Sequence, residues 1–405
     1  MGSPLYRGAT IAMFLLGLGM SAAAPQIALY LVKDLGASLS TAGLYYLTNL
    51  TAPLAGFLVG SRSDRTGNRL RLFRICAVAG FIGWVAVALS TKAWMPFAVS
   101  AADLGFSGAS GSQLFAAVHD ELKTAPGRDN EGVVSVIRMA LTAGWVVGPV
   151  LGAWLASALG PRVMFLLTAV CVLGQIVPLG TLRATPTSHE AARAAPEVKK
   201  RTGPPFAVML PLLAFTGLYV MVYCGEPIKY GYLPIYMNVQ LKLAPAVSGA
   251  VIGIQPLIEL IIMPFSLMVA RRIGLMQIMA VGAAFGVGAN LCFATSGSVA
   301  GMFGGQFFMG GVWGIFAAMG IIAAQRLLPT AVATASAIFM SAPAIGSALG
   351  GLTGSIGVGA LGLPHVYFLP AAFALLASIG LAFMAKARVL DKEPRTGSAP
   401  VRASR

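Results

Sequence analysis

Apolar runs recur along the whole chain, at about 8–32, 40–60, 72–90, 93–117, 132–157, 162–182, 205–236, 245–270, 273–295, 299–324, 332–358 and 362–385. Most are close to the roughly 20 residues that carry a helix across the hydrocarbon core of a bilayer. Twelve such runs in 405 residues leave room for turns and for no separate soluble domain. Charged residues make up 10% of the chain, against about a quarter in a soluble domain. The expected fold is an all-α integral membrane protein with 12 transmembrane helices in two six-helix bundles.

The first run, behind a single Arg7, is longer than a signal-peptide core and lacks a cleavage site, so it is expected to stay as the first helix. Turn residues separate the runs at Gly36 to Ser40, Gly160-Pro161, Ser296-Gly297-Ser298 and Leu363-Pro364. The longest break holds Arg183, Arg193, Lys199, Lys200 and Arg201 among Ala, Pro and Thr, and reads as a flexible cytoplasmic linker over 183–203. It divides an N-terminal bundle over 1–182 from a C-terminal bundle over 204–386, which a basic cytoplasmic tail over 387–405 follows. A faint internal repeat pairs Asp64-Arg65-Thr66-Gly67 with Arg271-Arg272-Ile273-Gly274.

Lys and Arg in short loops mark the side that stays in the cytoplasm. With both ends inside, 22 of the 28 basic residues fall on inner segments, whereas only Lys33, Lys92, Arg162 and Lys242 fall outside. The net charge of +15 is therefore topological and touches the lipid surface; no basic patch with interleaved aromatics suggests nucleic acid. Cys76, Cys171, Cys224 and Cys292 lie in apolar stretches without paired or metal-ligand spacing. His119, His189 and His365 are scattered, with no nucleophile, phosphate loop or ligand cluster beside them. No enzyme activity, metal or cofactor is expected, and the chain is expected to act as a monomer.

Two motifs carry mechanism. After the second run stands Gly60-Ser61-Arg62-Ser63-Asp64-Arg65-Thr66-Gly67-Asn68-Arg69. Gly60 would permit a close helix contact and Gly67 a tight turn, while Asp64 could meet a helix N-terminus or an arginine. This segment resembles the signature loop of the major facilitator superfamily, G-x-x-x-D-R-x-G-x-R, with Gly60, Asp64, Arg65, Gly67 and Arg69 at its defined positions. The resemblance implies that the acid latches the inner sides of two halves together in one conformation and releases them in another. The fifth run holds Gly144-Trp145-Val146-Val147-Gly148-Pro149-Val150-Leu151-Gly152. It looks like the G-x-x-x-G-P-x-x-G motif of superfamily exporters, where Gly144, Gly148 and Gly152 allow close packing and Pro149 bends the helix.

The resemblance narrows through Leu29-Tyr30-Leu31, Gly43-Leu44-Tyr45-Tyr46, Gln113-Leu114-Phe115-Ala116, Gly127-Arg128 and Leu233-Pro234-Ile235-Tyr236 to Glu259 and Pro264. These blocks, in order along most of the chain, are similar to the bacterial sugar efflux transporter family. Membership implies proton-linked efflux of sugars or sugar-like solutes from the bacterial inner membrane. Tyr232 stands where that family carries an acid, so a coupling role cannot be transferred to this position.

Charge at membrane depth costs at least about 2.5–3.5 kcal/mol, so each ionisable group there needs a partner or a wet cavity. Glu226 and Lys229, three apart beside Gly225, Pro227 and Gly231, share a helix face and can pair. They would either line an outer vestibule and contact solute hydroxyls or simply neutralise each other near the surface. Glu259 has no basic neighbour in sequence and is expected to load and release a proton. Arg138 could attract solute, cap the inner gate, or pair with Asp103 or Glu259. Asn49, Gln113, Gln255 and Asn290, with Trp145, Tyr45 and Tyr223 as stacking surfaces, suggest a polar central cavity. A multidrug exporter on the same scaffold is the nearest rival, and would call for a cavity of aromatic and Met side chains. A non-transporting receptor would have lost the gate loop and the intramembrane acids, which are present.

Overall fold

The computed structural model describes residues 3–124, 130–182 and 206–387. Its twelve crossings are α1 (Pro4–Lys33), α2 (39–66), α3 (Arg69–Ala88), α4 (94–124), α5 (Asn130–Leu159), α6 (Pro161–Leu179), α7 (Phe206–Gln240), α8 (Pro245–Ile273), α9 (Leu275–Thr295), α10 (Val299–Leu327), α11 (Val332–Leu361) and α12 (Phe368–Lys386). Among the described residues, ten segments are long and apolar enough to cross a bilayer by themselves. The other two, α2 and α4, are each interrupted and end on charged residues. A 3-10 stretch, Tyr45–Thr51, breaks α2 before Arg62, Asp64 and Arg65. A π turn, Ser100–Leu104, breaks α4 before Asp120, Glu121 and Lys123. The expected linker over 183–203 and the basic tail beyond Ala387 lie outside the described residues.

The faint repeat in sequence becomes plain in the packing. In the first half α1 packs on α5 and α6, and α3 on α4 and α6; in the second, α7 packs on α11 and α12, and α9 on α10 and α12. Gly67 and Gly274 end α2 and α8 in equivalent places with φ of 63° and 102°, a backbone that glycine adopts without strain. Outward faces keep large apolar side chains such as Leu54, Phe57, Ile82, Phe265, Ile356 and Phe383 exposed, as a hydrocarbon solvent requires.

The exporter-type motif makes the tightest seam. A Cβ added to Gly144 would come 2.6 Å from the backbone of Phe14 and Leu18, and one on Gly148 2.6 Å from Leu18 O, so α5 lies directly on α1. The hydroxyl of Ser21 bridges that seam by donating to Gly144 O at 3.0 Å. On its other side α5 meets α8, where Gly249 and Gly253 press on the carbonyls of Pro149 and Val146. One helix thereby joins the two halves.

Other contacts between halves run from mid-depth to the end away from the chain termini. Asn49 Nδ2 donates to Ser347 Oγ at 2.7 Å. The Lys33 ammonium donates to Asn238, and the Tyr232 hydroxyl abuts Gly43. At the terminal end the signature loop stays within its own half. Arg69 donates to Asp64 at 3.1 Å and also to Asp120, and Asp64 remains 72% exposed. Gly60 is not the close contact expected of it: a Cβ there would meet nothing within 4 Å.

Candidate functional site

One helix of the first half and three of the second line a cavity of about 310 Å³. It is lined by Leu141, Thr142 and Trp145 of α5, Tyr223, Glu226 and Tyr230 of α7, Gln255, Pro256 and Glu259 of α8, and Trp313 of α10. Trp145, Glu259 and Trp313 stand near the middle of their helices, so the chamber lies at mid-membrane depth. The volume falls at the lower end of the roughly 300–1,000 Å³ of small-molecule sites.

Each helix brings its polar group there for a local reason. In α7 the helix restarts at Gly225, which puts Glu226 in the first turn of Gly225–Ile235, where the N-terminal dipole favours a carboxylate. Lys229 then follows on the same face. In α5, Pro149 has no N–H, so the carbonyl of Trp145 loses its helical donor beside the chamber. In α8, Gln255 and Glu259 are four apart and share a face.

The charges are arranged unequally. Lys229 Nζ donates to Glu226 Oε1 and Oε2 at 2.7 and 2.8 Å and also to Gln255 Oε1, so its three ammonium protons have three acceptors. Trp313 Nε1 donates to Glu226 Oε1 at 2.6 Å, and the ammonium lies 4.4 Å from the Tyr230 ring centroid. Lys229 is wholly buried. Glu259, on the same chamber, has neither a hydrogen bond nor an ion pair among the described residues. The Tyr223 ring stands edge-on to Trp313 at 5.3 Å, which extends the aromatic wall.

Of the candidate solute contacts, Trp145, Tyr223 and Gln255 line this chamber together with Glu226 and Glu259. The Glu226–Lys229 pair sits at mid-depth, not in an outer vestibule, because the restart of α7 falls halfway along the crossing. Asn290 is buried on α9, donating to Gly286 O at 2.7 Å, and does not line the chamber. Gln113 is buried within the first half, and Asn49 is engaged by Ser347. Tyr45 packs edge-on to Phe97. Asp103 lies on the π turn of α4 with Oδ2 buried against Gly83. Arg138 pairs with neither Asp103 nor Glu259; its guanidinium rests 5.9 Å from the Phe115 ring centroid.

Trp313, Tyr230 and Asp120 escaped the reading of the sequence. For Trp313 a signal existed: an indole N–H among Gly310, Gly311 and Gly314 in mid-span needs an acceptor inside the bundle.

A helical bundle of two repeated halves with a polar chamber halfway through the membrane defines a multi-pass membrane transporter, not an enzyme. The sequence profile of the Major Facilitator Superfamily matches residues 9–341, and the chain belongs to that superfamily. A candidate sugar efflux transporter of Deinococcus radiodurans is 26% identical over 378 residues, covering 92% of this chain and 96% of that protein. Sugar efflux transporter A of Dickeya chrysanthemi is 24% identical, covering 84% of this chain and 85% of its own. Among solved structures, the nucleoside transporter NupG superposes with a TM-score of 0.76 at 17% identity, over 97% of this chain and 100% of that one. A POT family transporter in complex with 5-aminolevulinic acid gives 0.78 at 12% identity over 96% of each chain. At these identities the two structures speak for the fold alone.

Proposed function

We propose that this chain exports sugars or related small polar solutes across the bacterial inner membrane, in exchange for protons and by alternating access. In this reading both termini and the 183–203 linker are cytoplasmic and the transporter acts as a monomer. The observation that carries it is the contrast between two carboxylates in one chamber. Glu226 is neutralised by Lys229 and held by Trp313, whereas Glu259 is free to exchange its proton with whichever side the chamber faces. Trp145, Trp313 and Tyr223 offer flat faces for a sugar ring, and Thr142, Gln255 and Glu259 offer hydrogen-bonding partners for hydroxyls. The sugar efflux relatives lend the substrate class its support.

A second reading, export of lipophilic drugs, draws on the four aromatic rings of the wall, Trp145, Tyr223, Tyr230 and Trp313. Inverted membrane vesicles energised with a proton gradient distinguish the two. Labelled monosaccharides and disaccharides should accumulate, while fluorescent hydrophobic dyes should not. Glu259→Gln should abolish the gradient-driven accumulation and its pH dependence; uptake left intact in that variant would refute the coupling role.

A further inference from the structure

A second cavity, of about 290 Å³, lies between the halves at the end away from the chain termini. It is lined from α1, the ends of α5 and α7, and the starts of α6 and α8. Three of these helices, α5, α7 and α8, also line the central chamber. Trp145 and Ala153 on α5 mark the two levels, as do Gln255 and Ser248 on α8. At about 1.5 Å of rise per residue the chambers are separated by roughly two helical turns. Between them the helices close. Gly249 presses on Pro149 O and Gly253 on Val146 O, each leaving only 2.6 Å to an added Cβ. The two cavities therefore lie at successive levels along the same helices, with the glycine-to-carbonyl contact of α5 and α8, here called the neck, between those levels.

The distal chamber carries its own hydrogen-bonding equipment. Gln26 lines it, is only 8% exposed, and its amide bonds to nothing else among the described residues. Ser248 lines the opposite wall, with its hydroxyl turned behind that wall and without a partner among the described residues. Lys33 and Asn238, bonded to one another across the halves, form the rim with the exposed Ser157. Amides and hydroxyls each donate and accept, which matches sugar hydroxyls that do both. A lipophilic solute would leave the Gln26 amide desolvated and unpaired.

We infer that this distal chamber is a second solute site, a release station for a polyhydroxylated small molecule held by Gln26 and Asn238. The inference rests on the export of sugars proposed above. When the neck opens, a sugar leaving Glu259 and Trp313 meets these groups before water, and closing of the neck behind it prevents return.

The test uses full-length protein in lipid nanodiscs and the labelled sugar that accumulates in the vesicle assay. Equilibrium binding should give two molecules per chain, and Gln26→Leu should remove the weaker one while leaving the tighter affinity within about twofold. A folding-independent measurement places a reporter at the rim. Ser157→Cys, in a chain with its four native cysteines replaced, should react with a membrane-impermeant maleimide. The sugar should slow that reaction severalfold, and equally so when Trp145→Ala has disabled the central chamber. One bound sugar per chain, or protection that vanishes with Trp145→Ala, would overturn the second site. A protein that moves none of the sugars would instead remove the export reading, and this site along with it.

Discussion

The ammonium of Lys229 grips both carboxylate oxygens of Glu226, at 2.7 and 2.8 Å, from a position with no solvent exposure. Desolvating two charges is costly unless further hydrogen bonds support them, and here Gln255 takes the third ammonium proton while Trp313 adds a second donor to Glu226 Oε1. The pair spans one turn of α7, yet its two further partners come from α8 and α10. It therefore fixes three helices of the second half around the chamber and leaves Glu259 as the carboxylate free to respond.

Breaking that pair on one side should be far worse than removing it altogether. Lys229→Met leaves Glu226 charged and unpaired in the chamber wall and should destabilise the protein by about 3–5 kcal/mol. The double variant Lys229→Met, Glu226→Gln should recover most of that loss. Thermal unfolding in detergent reads both; a double variant no more stable than the single would show that the pair is not what the wall depends on.

Arg69 is held by two acids of unequal burial. Asp120 has 20% side-chain exposure and Asp64 72%. Water screens the exposed pair, which should contribute less than about 1 kcal/mol. Losing Asp120 leaves the guanidinium short of its better-buried acceptor, at about 1–3 kcal/mol. Asp120→Asn should thus lower the unfolding temperature more than Asp64→Asn. In the proposed cycle Asp64→Asn should still slow transport more, because the exposed acid is the one free to change partners.

The twelve crossings were legible because hydropathy responds to the same solvent that the helices face. The turn glycine Gly67 and the exporter-type seam were legible too, since each rests on a local backbone requirement. Depth along a crossing was harder. Glu226 and Lys229 read as a pair from their spacing, but their level in the membrane depends on where α7 restarts and on partners 26 and 87 residues away in sequence. Asn290 and Gln113 carry the same polar chemistry as Gln255, and the placement and rotation of each helix in the bundle decide which one lines the chamber. Asp120 reads as one charge in a polar helix end until Arg69 is seen against it.

Two motif glycines should behave oppositely. A methyl at Gly60 meets nothing within 4 Å, so Gly60→Ala should leave stability unchanged or raise it by up to about 1 kcal/mol. A methyl at Gly148 would strike Leu18 O and the Ser21 hydroxyl, so Gly148→Ala should force α1 and α5 apart and cost at least about 1–3 kcal/mol. Unfolding curves of the two variants side by side check this. If Gly60→Ala is stable but slow in transport, Gly60 makes its close contact only in the opposite conformation of the cycle.

The closure at the distal end depends on a missing side chain. The Tyr232 hydroxyl fills the space where Gly43 has no Cβ, and the backbone of Gly351 and Ser355 lies 3.2 and 3.1 Å from that same point. The tyrosine could swing aside, but the α11 backbone on the far side could not, so Gly43→Ala should push α2 away from α7 and α11. The cost falls only on the conformation in which these helices touch, which shifts the balance toward a distally open state. A cysteine in place of Asn238 should then react faster with an impermeant maleimide added from the distal side, by about tenfold for each 1.4 kcal/mol of shift. Tyr232→Phe, which withdraws the hydroxyl from that space, should return the reactivity of Gly43→Ala toward its original value. Unchanged reactivity in Gly43→Ala would mean that the distal closure is held by the Lys33 and Asn49 contacts alone.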